Sequence, residues 1–232
     1  MKLIAALHDR SLGPDLLAPA LRSTLRAAGA TRLQVNLDDE HVAPAMRFGP
    51  GEPITAVLSV WLPAGADSAD ADGADTSVAG LLDVVRALDG TAHAWLVEER
   101  QPLVPPPTPD GERADALANI AFLRRPAAMS AEAWRADWLE RHTQVAIDTQ
   151  GTFGYVQNPV LEVLTAGGAD VAGIVEEHFP MAAMVDRHAF HGSGGDQAEL
   201  DRRFTTLMDS CARFGAADGL DLVPTSRYAF QL

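Results

Sequence analysis

The stretch "VPPPTPDGERAD", residues 104 to 115, constrains this chain more than any other. Three consecutive prolines lock φ and remove backbone donors, and the charged, Gly-containing tail adds a turn signal, so the segment belongs to neither a helix nor a sheet interior. It falls near the middle of the 232 residues. The chain therefore reads as two halves, 1–103 and 116–232, joined by a Pro-rich linker over 104–115.

The two halves follow one element order. In the first, "MKLIAALH" predicts a strand and "PDLLAPALRSTLRAAGA" a helix, with Leu16, Leu17, Leu21 and Leu25 at helical spacing, Pro19 within its first turn or so, and Gly29 as its stop. "TRLQVNLDD" alternates Leu33, Val35 and Leu37 against Gln34, Asn36 and Asp38, the period of a half-buried strand, and "ITAVLSVWLP" can pair with it as a hairpin. An acidic, low-complexity loop, "AGADSADADGADTS", leads to the helix "SVAGLLDVVRALDG" and the strand "TAHAWLVEERQPL". After the linker the order recurs: strand "ALANIAFLRR", helix from "SAEAWRADWLERHTQVAIDTQ", strands "GTFGYVQNPVLEVL" and "DVAGIVEEHF", a short helix "MAAMVDRHAF", a longer helix through Leu200, Phe204, Leu207, Met208, Cys211 and Phe214, and strand "SRYAFQL". Each half is thus a β-α-β-β-α-β, ferredoxin-like unit of an α+β protein, repeated in order rather than in residues. A sheet with helices on one face must bury the other, and two such sheets can cover each other. Edge strands that meet close an eight-stranded barrel with helices outside, wide enough for one small ligand.

Composition bounds the partner. A formal charge of −14 leaves no basic stripe for nucleic acid or an anionic membrane surface, and 47% hydrophobic residues supply a core. The single Cys211 offers no disulfide framework, which fits a reducing cytoplasm, and no apolar run approaches the ~20 residues of a membrane span. A small apolar or aromatic molecule is the expected partner, with a homodimer compatible with the fold.

Candidate chemistry gathers in the second half. Trp134, Trp138, His142 and Val145 fall within about 80° on a helical wheel. The indoles either pack on the sheet or wall a cavity, as substrate-binding groups. His142 is either a buried imidazole bonded to a carbonyl or an acid/base group titrating near neutrality. Ser130 is placed to N-cap this helix, Met129 and Trp134 to form a hydrophobic staple, and Asp137 and Arg141 to pair on its surface. On "AGIVEEHF" the period of two puts Glu176 and His178 on the face opposite Val175 and Phe179, so they point into the barrel if the apolar set packs under the helices. Tyr155 and Gln157 are expected to bring a hydroxyl and an amide to the same cavity. His178, His188 and His191 lie close in sequence, but their spacing matches no metal motif and they read as solvated or capping groups. "HGSGGDQ" lacks the context and lysine of a phosphate loop and reads as a turn.

The second half resembles the EthD family over roughly 117–231: Ser130, Trp134, Trp138, His142 and Ala146 follow that family's helix pattern, "YVQN" at 155–158 its strand, and "GIVEEHF" at 173–179 its Gly-hydrophobic-hydrophobic-Glu strand. The first half lacks the Trp and His signature. The resemblance implies the dimeric α+β barrel superfamily, whose single-domain members pair to form the barrel this chain would form within itself. It further implies a cofactor-independent enzyme, of the monooxygenase, lyase or isomerase kind, acting on a small aromatic or polyketide-like molecule. In that scheme His142 or His178 abstracts a proton, Glu176 orients the imidazole, and Tyr155 or Gln157 stabilises the anion. No metal or other cofactor is expected. A non-catalytic binding or auxiliary protein and a haem- or metal-dependent oxidoreductase are the alternatives.

Overall fold

A computed structural model describes residues 1–63, 78–216 and 219–232. The acidic loop read at 64–77 lies outside them.

The first half contributes strands β1 (Lys2–Leu7), β2 (Arg32–Leu37), β3 (Ala56–Trp61) and β4 (His93–Val97), hydrogen-bonded in the order β4-β1-β3-β2, with β5 (Arg100–Leu103) following β4. Its helices are α1 (Gly13–Leu17), α2 (Pro19–Ala27) and α3 (Val78–Leu88). After the prolines come β6 (Leu117–Arg124), α4 (Ala131–Ala136), α5 (Thr143–Thr149), β7 (Gly154–Val163), β8 (Val171–Phe179), α6 (Arg187–His191), α7 (Gln197–Phe214) and β9 (Asp221–Gln231), with strands in the order β9-β6-β8-β7. Two seams close the sheet. β2 pairs β9 from Arg32↔Gln231 to Leu37↔Ser226, and β7 pairs both β4 and β5. Because β4 and β5 run in succession along β7, the result is a closed antiparallel barrel of eight strand positions.

The period of two divides every strand between two environments. Leu3, Ala5, Leu33, Val35, Leu58 and Val60 face outward under α2 and α3. Ala121, Leu123, Tyr155 and Val175 face outward under the second helical layer, against Trp134, Trp138, Leu207 and Phe214. Inside, Ile4, Val57, Trp95, Ile120, Phe122 and Ile174 fill the middle of the barrel.

Two helices depart from the sequence reading. The first helix is two: Ala18, preceding proline, is extended at φ −70° and ψ 147°, and Pro19 opens α2 instead of continuing α1. The helix capped by Ser130, whose hydroxyl accepts from Ala133 N at 3.1 Å, widens into a π-helical segment over Asp137–His142 before returning to α geometry. That wider turn seats Trp138 over Gly173, where a Cβ would stand only 2.4 Å from the indole. On α7, Phe204 and Met208 are exposed; Phe204 lies instead against His191 and Arg187. No helix among the described residues is long and apolar enough to cross a membrane.

Candidate functional site at the barrel mouth

β8 is an interior strand, paired with β6 and β7, so its alternation carries Glu176 and His178 inward and Val175, Glu177 and Phe179 outward. Glu176 and His178 are 4% and 1% exposed, and their side chains meet with Glu176 Oε1 2.7 Å from His178 Nε2. A carboxylate there holds the proton on Nε2 and leaves Nδ1 as the basic nitrogen, an assignment made from the network. Glu176 Oε2 accepts from Gln34 Nε2 at 2.8 Å, and Gln34 Oε1 accepts from Arg227 Nε at 2.9 Å. Lys2 Nζ, 3% exposed, donates to Glu99 Oε1 at 2.9 Å and to Asn158 Oδ1 at 2.8 Å. Burial works against ionisation of Glu176, but the His178 hydrogen bond and the charges of Arg227 and Lys2 outweigh it and hold the carboxyl well below the usual range. Burial lowers Lys2, opposed by Glu99 and Glu176.

These groups surround one end of the barrel, where a cavity of about 210 Å³ is lined by Arg32, Gln34, Glu99, Val156, Glu176 and Arg227 and walled by Val104 and Pro105–Pro107. The proline run is therefore a rim of the barrel as well as a linker. Pro105 reaches within 3.0 Å of where a Gly154 Cβ would stand, and His178 Cγ within 3.1 Å of the same point, so any larger residue at 154 would meet both. Arg32, Glu99 and the prolines had no motif to mark them; their place follows only from closure of the barrel.

The remaining sequence candidates do not share this chamber. Trp134 and Trp138 pack with their rings tilted by 44°, centroids 5.0 Å apart, on the outer face of the sheet. His142 lies in the same helix–sheet layer, 4.7 Å from the Phe214 ring, its Nδ1 3.0 Å from Ser210 Oγ. Burial, reinforced by the Arg213 charge, lowers its pKa to about 4, so it is neutral at pH 7. Tyr155 and Gln157, expected to face the cavity, point outward as well: Gln157 Nε2 donates to Thr143 Oγ1 of α5 at 2.9 Å, and Tyr155 is buried beside Glu177. The register explains the correction, since Tyr155 pairs with Glu177 and Gln157 with Val175, whose side chains take the helix side. Burial raises Tyr155 far above its ordinary value and pushes Glu177 up to about 7 although that residue keeps some surface exposure. His188 and His191 take separate local partners, Ser193 Oγ and Thr149 O, and no cluster of three or more metal-binding side chains occurs among the described residues.

Other cavities compete. At the opposite mouth, about 300 Å³ lies between His8, His93, Trp95, Phe122, Ile54 and Val171. A larger one, about 670 Å³, is a groove outside the barrel between α1 and residues 38–47. Its buried carboxylate is already committed: Asp38 pairs with Arg47 at 2.9 Å and with Arg10 at 3.4 Å. Size alone favours the groove, but the proline-rimmed mouth is lined by a buried carboxylate, Glu176, that is itself bonded to the imidazole of His178 behind it.

No family model matches this chain, and no curated protein matches it. Solved structures share its fold. An anthrone oxidase-like protein superposes with a TM-score of 0.53 at 11% identity, over 99% of this chain and 92% of that one. A provisionally named monooxygenase from Lactobacillus acidophilus NCFM gives a TM-score of 0.47 at 9% identity, over 99% of this chain and 94% of that one.

Proposed function

We propose that the chain is an enzyme that uses acid–base chemistry on a small organic molecule held at the proline-rimmed barrel mouth. The observation that carries this reading is the 2.7 Å Glu176–His178 contact, buried and adjacent to a cavity. His178 Nδ1 takes a proton from an acidic C–H or phenolic O–H of the substrate. The Glu176 carboxylate stabilises the imidazolium that forms, and Arg227 faces the anion left behind. Oxygenation, decarboxylation, dehydration and isomerisation each pass through such an anion. The name of the anthrone oxidase-like neighbour is in keeping with an aromatic, polyketide-like substrate and with oxygenation, as is the EthD-like pattern of the second half. The reading assigns the acid–base work to His178 and leaves His142, across the sheet, to packing.

Screening phenols, anthrones and β-keto acids for turnover provides the test. His178→Ala is expected to lower kcat by about 10²-fold or more, as loss of a general base does, with KM changed little, and Glu176→Gln to lower it in the same direction. Turnover that survives His178→Ala and is lost in His142→Ala would overturn the assignment. A carrier function competes with this reading. Native mass spectrometry that finds an unmodified ligand retained, in a protein with no turnover across the panel, would favour it.

A further inference from the structure

Around the proline-rimmed mouth the carboxylate oxygens of Glu99 and Glu176 and the amide oxygens of Gln34 and Asn158 are already engaged. Glu99 gives Oε1 to Lys2 and Oε2 to Trp61 Nε1 at 3.1 Å. Glu176 gives Oε1 to His178 and Oε2 to Gln34, with Arg227 Nε at a longer 3.5 Å. Gln34 Oε1 is taken by Arg227 Nε, and Asn158 Oδ1 by Lys2. The donors are not exhausted. Arg32 lies over Trp61, its Cζ 3.9 Å from the ring centroid, and among the described residues no oxygen accepts a hydrogen bond from its guanidinium. Arg227 uses Nε, and Nη1 only weakly on Thr108 at 3.4 Å, leaving Nη2 unclaimed. Both guanidiniums line the same cavity and are close enough to raise the cost of each other's charge. In a chain of net charge −14, three cations, Lys2, Arg32 and Arg227, here face two carboxylates.

From this imbalance we infer that Arg32 and Arg227 anchor the carboxylate of an aromatic carboxylic acid, which is the substrate class of this mouth. The inference rests on the barrel mouth being the functional site. A planar carboxylate matches the fork of a guanidinium, and Arg32 is held by Trp61 to present that fork. Val104, Val156 and Pro105–Pro107 give the remaining space one apolar wall, beside Gln101, against which a ring can lie. One negative charge balances the excess cation. A phosphate, with close to two, would bring its second charge against Glu176 and Glu99.

Calorimetric titration of the full chain with benzoate, benzamide and inorganic phosphate tests the site without a known substrate. Benzoate is expected to bind at least 10-fold more tightly than benzamide or phosphate. Arg32→Gln and Arg227→Gln each should weaken benzoate by about 10- to 100-fold, the range for losing a charged hydrogen bond, with little effect on benzamide. Equal binding of benzoate and benzamide by the unaltered protein, or binding of phosphate in preference to benzoate, overturns the inference even if an arginine variant misfolds. Glu176→Gln separates it from the acid–base reading. That variant removes one of the two carboxylates facing the cations, so benzoate should bind at least as tightly as to the unaltered protein; turnover lost while benzoate still binds speaks to catalysis alone, and binding indifferent to both arginines speaks against the anchor alone.

Discussion

Neighbouring glutamates on one strand meet opposite fates, and alternation is the cause. Glu176 turns into the barrel among Arg227, Lys2 and His178 and stays ionised, whereas Glu177 turns under the helices, where burial raises it to about 7. A carboxyl with a folded pKa above its ordinary 4.5 stabilises the fold fully below that value, and this contribution is lost as pH rises through about 7. Glu177→Gln should therefore leave stability nearly unchanged at pH 4 and raise it at pH 8. The gain is about 1–2 kcal/mol once the partial exposure of Glu177 is allowed for. Denaturant titrations at the two pH values measure it, and an equal change at both would contradict the assignment. Glu176 has the reverse sign, its stabilisation being present at neutral pH and lost in acid, but it is common to both proteins and cancels in the comparison. The inward direction of Glu176 and His178 was legible in "AGIVEEHF" from the period of two and the apolar set opposite. The outward direction of Tyr155 and Gln157 was not. Which face of "GYVQN" is inside depends on the register Tyr155↔Glu177, which no pattern within that strand specifies.

Among the elements, the helix carrying the two tryptophans shows how packing overrides a regular pattern. Its amphipathic face, its Ser130 cap and the surface pair of Asp137 with Arg141 could all be read in the sequence. The π-helical turn at 137–142 could not, because it is a response to a partner: the Trp138 ring sits 2.4 Å and the Trp134 ring 3.0 Å from where a Cβ on Gly173 would stand. Gly173→Ala should cost about 1–3 kcal/mol, as overpacking of a filled core does. Combining it with Trp138→Leu should recover part of that loss, so the double variant falls short of the sum of the singles. A strictly additive pair in thermal or denaturant unfolding would mean that the glycine is there for another reason. The proline run is the complementary case. Its breaking of helix and sheet was evident from composition, while its second place, as a wall over Arg227 and Glu176, appears only once the barrel is closed.

For the whole molecule, closure decides what any side chain can do. The seams β2–β9 and β4–β7 join strands from the two halves of the chain, and they turn one sheet face into a private interior and the other into two helix-covered layers. The separation explains why candidates that seemed to converge in the sequence do not meet: His142, Trp134, Trp138 and Tyr155 belong to one layer, Glu176 and His178 to the interior. Element order made an eight-stranded barrel foreseeable from two β-α-β-β-α-β halves. It could not show that the apolar side chains Ile4, Val57, Ile120 and Ile174 fill the middle and leave open space at the two mouths. The central claim is that a small-molecule site lies inside, at His178, and not across the sheet at His142. Imidazole ¹⁵N resonances of the full chain, followed during titration with benzoate, test it directly. The account predicts that the His178 signals shift while those of His142 stay in place; movement of His142 with His178 unchanged would contradict it.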